Sequence, residues 1–170
     1  QRVPAFRQRT PCPRHRRRRQ TAKNWVSLRQ KQVAERKVGI VLANYPIRDG
    51  RLANGVGYDA PASTLNILQF LQEAGYALDH LPENGNALIE MLQNGPTNAA
   101  PKRGSSQAHI TLENYRKLYE ILPQTLKKSI EERWGTPESD PFFRDDHFEL
   151  PAIQFGNAAI LIQPARGYDL

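Results

Sequence analysis

The run RKVGIVLAN, Arg36–Asn44, constrains the fold of this chain more than any other stretch. Val38, Ile40, Val41 and Leu42 follow one another with little polar alternation. Such a strand is apolar on both faces, which suits a parallel strand covered by helices. A helix does follow, but only after a long loop, NYPIRDGRLANGVGYDAPAS, Asn44–Ser63. Its punctuation is clear: Asp59 is placed to cap it, Pro61 lies in its first turn, and Gly75 can end it. Leu65, Leu68 and Leu71 recur at helical spacing and are expected to face the sheet.

The pattern then repeats once. YALDHL, Tyr76–Leu81, reads as a second strand, and NALIEMLQNG as a second helix with Leu88, Met91 and Leu92 inward and Gly95 as its stop. This predicts a β-α-β-α unit with a right-handed crossover into a parallel sheet. Residues 95–109 form a Gly/Pro/Ser linker, long enough to be mobile or to contact a ligand. Two helices are expected next. One aligns Leu112, Tyr115, Leu118 and Leu122; the other opens at Pro123 and aligns Leu126, Ile130 and Trp134. A turn-rich loop leads to two short extended runs, AIQFGN and AAILIQP, the second apolar enough to rejoin the sheet. The expected class is therefore α/β: a small open, mainly parallel sheet with flanking helices, a two-helix insert and a returning strand.

Inside the long loop, GVGYDA (Gly55–Ala60) matches the dinucleotide fingerprint G-x-G-x-x-A, and Asp79 lies 22 residues after Gly57, where a ribose-binding acid is wanted. The spacing from the strand argues against that reading. The fingerprint's first glycine turns tightly out of the strand, whereas Gly55 comes 11 residues after Asn44. No G-K-[ST] occurs, so a P-loop is excluded. What remains is a long polar loop at the carboxyl end of a parallel strand, the edge where open α/β sheets bind ligands. Arg48, Asp49, Arg51, Asn54, Gly55, Gly57, Asp59 and Ser63 are its candidate residues. Two readings stand: a ligand or partner site, or glycines that permit turns beside acids and hydroxyls that cap a helix.

The net charge of +7 belongs to one end of the chain. Through Lys31 there are 11 Lys/Arg and no Asp or Glu, leaving 13 basic against 17 acidic residues beyond it, a balance of −4. Residues 1–31 are thus read as a basic arm, mostly disordered or partly helical, and 32–170 as the folded segment. RHRRRR admits phosphate binding, but Phe6 is the one aromatic among those arginines, so nucleic acid is not expected as a partner. Cys12 alone forms no internal disulfide and has no base placed to activate it. No apolar stretch approaches the roughly 20 residues of a membrane helix, and a cytoplasmic protein is expected. RDDHF offers Asp145, Asp146 and His147 in a row, but adjacent residues seldom converge on one metal, and a solvated turn is the simpler reading.

RKVGIVLANYPIRDGRLANGVGYDAPAS, followed by LQEAGYALDHLPENGNALIEML, then ITLENYRKLYEILPQTLKKSIEERWGTPESDPFF and LPAIQFGNAAILIQPARGYDL, resembles the large subunits of cobaltochelatases over about residues 22–170. The related large subunits of magnesium chelatases share a looser version, with a loop closer to F-P-P-x-K-G-x-x-G-T-A-A. YPIRDGRLANGVG therefore favours the cobalt branch. The resemblance implies a tetrapyrrole-binding subunit of an ATP-dependent enzyme that inserts Co2+ into hydrogenobyrinic acid a,c-diamide on the route to cobalamin. It implies two partner subunits, one an AAA+ ATPase holding ATP and Mg2+, with cobalt as substrate metal. It also implies an internal fragment, since such subunits are several times longer. The family's metal-handling glutamate and histidine belong to an H-G-T-L-E-W-L-P-G-type segment absent from this sequence, so no catalytic residue carries over. Ala53, Tyr58 and Ala60 depart from the glycine, leucine and threonine common in the family's loop, and residues 1–20 depart more. On this reading Gln163, Arg166, Tyr168 and Asp169, just after the last apolar strand, join loop 44–59 in one wall of the macrocycle's pocket, with Arg48 or Arg51 facing substrate carboxylates.

Overall fold

The computed structural model describes residues 13–165. Helix α1, Pro13–Gln30, comes first, and Trp25, Val26 and Leu28 on it stay exposed. The basic arm is thus helical from Pro13, while Phe6 and Cys12 lie outside the described residues. Strand β1 (Val38–Leu42) leads into the long loop, which contains a tiny hairpin of β2 (Asn54–Gly55) and β3 (Tyr58–Asp59). Helices α2 (Ala60–Glu73) and α3 (Gly85–Asn94) follow.

The ends of α2 form as its sequence predicts. Asp59 accepts from Ala62 N at 2.9 Å, a proline lies in the first turn of α2, and Gly75 sits at φ +91° just past its end. Asn84 caps α3 in the same way, accepting from Ala87 N at 3.0 Å. Leu65, Leu68, Leu88 and Leu92 are buried, Leu71 is half-buried, and Met91, expected inward, is 38% exposed.

The insert consists of β4 (His109–Thr111), α4 (Leu112–Glu120), α5 (Gln124–Trp134), β5 (Phe143–Arg144) and β6 (His147–Glu149). Its strands make a sheet of their own, ordered β4-β6-β5 and antiparallel throughout. Asp145 and Asp146 both have positive φ, as a two-residue hairpin turn demands, and both are solvent-exposed. The stretch expected as a loop therefore holds a hairpin with a solvated turn. Phe148 packs between Phe143 and Tyr115, at ring-centroid distances of 5.3 and 5.1 Å. Leu118 and Leu126, aligned on the apolar faces of their helices, are exposed.

Strands β7 (Ala152–Phe155) and β8 (Ala158–Ile162) return the chain to the first sheet, ordered β1-β8-β7. Strand β8 lies parallel to β1, with Leu42 opposite Ile162, and β7 adds antiparallel on its other side. The α/β class, the open sheet, the flanking helices, the two-helix insert and the returning strand are all present. The second strand of the expected β-α-β-α unit is not formed: Tyr76–Leu81 carries no ladder. Leu78 N donates to Tyr76 O at 3.0 Å, a tight local turn, and Ala77 O accepts from Asn157 N at 2.8 Å. The segment thus braces the β7–β8 turn instead of extending the sheet. One parallel pairing, β1 with β8, remains, beside the antiparallel β7.

The core lies on one face of this sheet. Leu42, Phe155, Ile160 and Ile162 pack with Leu68, Leu88 and Leu92. Each such fully buried side chain is worth about 1.5–3 kcal/mol in area removed from water. On the opposite face Val41 is 59% exposed, so the strand that reads as buried on both faces is covered on one among the described residues.

Candidate functional site

Because β1 and β8 run parallel, the loop after Leu42 and the segment after Ile162 leave the sheet on the same edge. Gln163 N donates to Leu42 O at 2.8 Å, extending the ladder one step beyond the strands. Asn44 then folds back to bridge Leu52, and Ala53 N donates to Ala43 O at 2.8 Å. Loop 44–53 therefore closes over the end of β1 rather than running free.

Buried polar groups concentrate here. Asn44, Thr97 and Asn98 are 5%, 0% and 9% exposed. Such groups demand partners, and these have them. Asn98 Nδ2 donates to Asn44 Oδ1 at 2.9 Å and to Gln163 O at 2.8 Å. Asn44 Nδ2 donates to Arg48 O at 3.2 Å. Asp49 is held from three sides: its Oδ1 accepts from Thr97 Oγ1 at 2.7 Å, its Oδ2 from Arg103 Nη1 at 2.6 Å, and its carbonyl from Gln93 Nε2 at 3.1 Å. Arg103 Nη1 also donates to Gln93 O at 3.1 Å. The linker after α3 is thereby bonded to the strand-end loop.

The candidate residues separate into those that serve the fold and those that face outward. Asp49 serves the clasp and Asp59 caps α2. Arg48, Arg51, Asn54, Gly55 and Gly57 are exposed. Of the loop's glycines, Gly57 needs glycine's freedom, at φ +68°, whereas a Cβ at Gly50 would meet nothing within 4 Å. Ser63 is half-buried in α2. Gln163 is half-buried, and its carbonyl is held by Asn98. Arg166, Tyr168 and Asp169 lie outside the described residues. Around the exposed arginines the loop also presents Tyr45, Ile47, Val56 and Tyr58 to solvent. The edge thus combines two cationic side chains with aromatic and aliphatic surface.

Thr97, Asn98, Arg103 and Gln93 were not among the sequence candidates. For Thr97, Asn98 and Arg103 the one signal is the polar run GPTNAAPKRG at the end of a helix, and spacing alone does not say which strand end it meets; Gln93, in the last turn of α3, carries no signal of its own.

Two clefts lie elsewhere. One, of about 710 Å³, runs beside β7 and is lined by Asp79, His80, Met91 and Ser105 among others. The other, of about 730 Å³, lies between α4 and the Asp145–Asp146 turn. At its margin the His109 and His147 rings are 5.0 Å apart, and His147 Nε2 is 3.4 Å from Glu149 Oε1. His147 is raised above its ordinary value of 6.5, chiefly by the bond from its Nδ1 to Asp145 O, and further by Glu149. Among the described residues no group of three or more His, Cys, Asp or Glu can hold a metal ion. Among them, too, no helix is long and apolar enough to cross a membrane.

The pattern of the CobN/Magnesium Chelatase family matches residues 6–170. The chain belongs to the CobN/magnesium chelatase family. Among relatives, the aerobic cobaltochelatase subunit CobN of Sinorhizobium sp is 47% identical over 149 residues, covering 88% of this chain and 12% of that protein. The H-type magnesium-chelatase subunit of Chlorobaculum parvum is 29% identical over 148 residues, covering 86% of the chain and 11% of that protein. The catalytic subunit of cobaltochelatase from Mycobacterium tuberculosis superposes with a TM-score of 0.66 at 28% identity, covering 82% of the chain and 12% of that structure. The chain therefore spans about an eighth of the length of these family members. The strand-end edge described above is a feature of a chelatase-family segment.

Proposed function

We propose that this chain serves as part of the tetrapyrrole-binding large subunit of an ATP-dependent cobaltochelatase. The whole enzyme inserts Co2+ into hydrogenobyrinic acid a,c-diamide in cobalamin biosynthesis. The observation that carries the cobalt branch is the identity gap: 47% to a CobN protein against 29% to an H-type magnesium-chelatase protein, over nearly equal lengths. Cobalt is the substrate metal. ATP and Mg2+ belong to an AAA+ partner, which acts together with a third subunit in a cytoplasmic complex.

Metal insertion requires a wall that holds a large flat macrocycle, takes up the two protons its nitrogens release, and receives a desolvated cation. In this reading loop 44–59, at the carboxyl edge of β1, forms such a wall together with the residues that follow β8. Arg48 and Arg51, both exposed there, pair with substrate carboxylates. Arg166 adds a third cation, and Tyr168 a hydroxyl. Tyr45, Val56 and Tyr58 supply apolar surface against which the ring lies. In this reading the segment's part is binding and orientation, and the metal-handling chemistry falls to other parts of the subunit.

The test is ligand preference. The full-length subunit should bind hydrogenobyrinic acid a,c-diamide at least tenfold more tightly than protoporphyrin. The reverse order assigns it to the magnesium branch. Absence of binding to both, with retention of the ATPase partner in a pull-down, assigns the segment to scaffolding. That second reading rests on the exposed apolar side chains of the same loop.

A further inference from the structure

We propose that Asp49, the acid in the strand-end loop, acts as a positioning residue: with Thr97 and Arg103 it clasps that loop to the linker after α3 and fixes where Arg48 and Arg51 stand. The inference rests on the reading that this loop lines the tetrapyrrole wall, and it assigns a task to residues that reading leaves without one.

Asp49 has both carboxylate oxygens engaged, one by Thr97 Oγ1 at 2.7 Å and one by Arg103 Nη1 at 2.6 Å. It lies between the two exposed arginines, at the start of the tight turn Asp49–Arg51. Its carbonyl is held as well, by Gln93 Nε2 from the last turn of α3. The partners come from 44 to 54 residues away, so these bonds set tertiary position rather than local conformation. Thr97, the anchor, is fully buried and its hydroxyl also accepts from Ala100 N at 3.1 Å, so it cannot drift. Arg103, by contrast, has 42% of its side chain exposed, so its removal empties no core space.

An acid beside two arginines invites a different reading, in which it contacts the ligand. The geometry disfavours that. A carboxylate bonded through both oxygens to its own fold must break the clasp to reach a substrate, and it would repel the substrate's carboxylates. Held in the clasp, it stabilises the loop in one placement, so the arginines are set before the ligand arrives.

The test is a double-mutant cycle in the full-length subunit with Asp49→Asn, Arg103→Ala and both together, beside Arg51→Ala as a separate arm. Asp49→Asn keeps an acceptor for Thr97 and removes the charge that holds Arg103. Two quantities are read: amide exchange across 44–53 and 95–104, and affinity for hydrogenobyrinic acid a,c-diamide. Each single clasp variant should speed exchange in both segments and weaken binding about tenfold. The double variant should be no weaker than the worse single one, because the two residues act as one unit. Weaker binding in Asp49→Asn with Arg103→Ala unchanged would overturn the proposal in favour of direct contact, as would additive losses. Unchanged binding in both clasp variants with a loss in Arg51→Ala removes the clasp and leaves the wall. Unchanged binding in all of them removes the wall itself, and the positioning role falls with it.

Discussion

The side-chain amide of Asn98 bonds that of Asn44, 54 residues earlier, at 2.9 Å, and the same nitrogen reaches the carbonyl of Gln163 at 2.8 Å. One buried group thus ties together the ends of two parallel strands and the loop that follows the first.

Removing that tie should destabilise the segment. Asn98→Leu leaves Asn44 Oδ1 and Gln163 O without this donor in a buried site. An orphaned buried polar group costs about 1–3 kcal/mol. Amide exchange in peptides spanning 40–53 and 158–164 should rise accordingly. Thr64→Val, which removes a bond to Ala60 O inside α2, should leave those peptides unchanged.

The same region shows what the sequence disclosed. The apolar runs at Val38–Leu42 and Ala158–Ile162 announced strands, and the caps at Asp59 and Gly75 marked a helix, because these signals are local. Tyr76–Leu81 misled because its apolar content suits a strand, while its backbone bonds depend on the distant turn at Gly156 and Asn157. Asn98 and Arg103 stayed hidden for the same reason: a polar loop has no periodicity to betray its partner. Asp49 was legible as a candidate, but its role was not, since only tertiary structure shows both oxygens occupied.

Gly156 should resist substitution. It sits at φ +56°, and a Cβ there would lie 2.5 Å from Ala77 O, the atom that accepts from Asn157 N. Gly156→Ala carries the left-handed penalty of about 1–2 kcal/mol together with displacement of the 76–81 segment. Faster exchange at Asn157 and Leu78 is the expected result, and unaltered exchange would show that the brace is dispensable.

The hairpin of the insert should loosen as pH rises. His147 is raised above its ordinary 6.5 by Asp145 O and Glu149, so the folded state favours its protonated form. That contribution is fully present below the unfolded value and is lost as pH rises through the folded one. Exchange in β4 and β6, corrected for the intrinsic rate, should be better protected below pH 6 than at pH 8. His147→Gln should flatten the difference; an unchanged pH dependence in that variant would assign it to another group.

Truncating the core should cost most. Leu68 is fully buried between α2 and the sheet, and Leu68→Ala should lower stability by about 2–5 kcal/mol, read as loss of protection across α2 and β8.

The proposed function requires that the strand-end loop and the segment after β8 hold the tetrapyrrole. The most direct measurement is the affinity of the full-length subunit for hydrogenobyrinic acid a,c-diamide with Arg51 and Arg166 each changed to Ala. A loss of about tenfold in each is predicted, as expected for a removed charge-assisted bond. Unchanged affinity in both would contradict it.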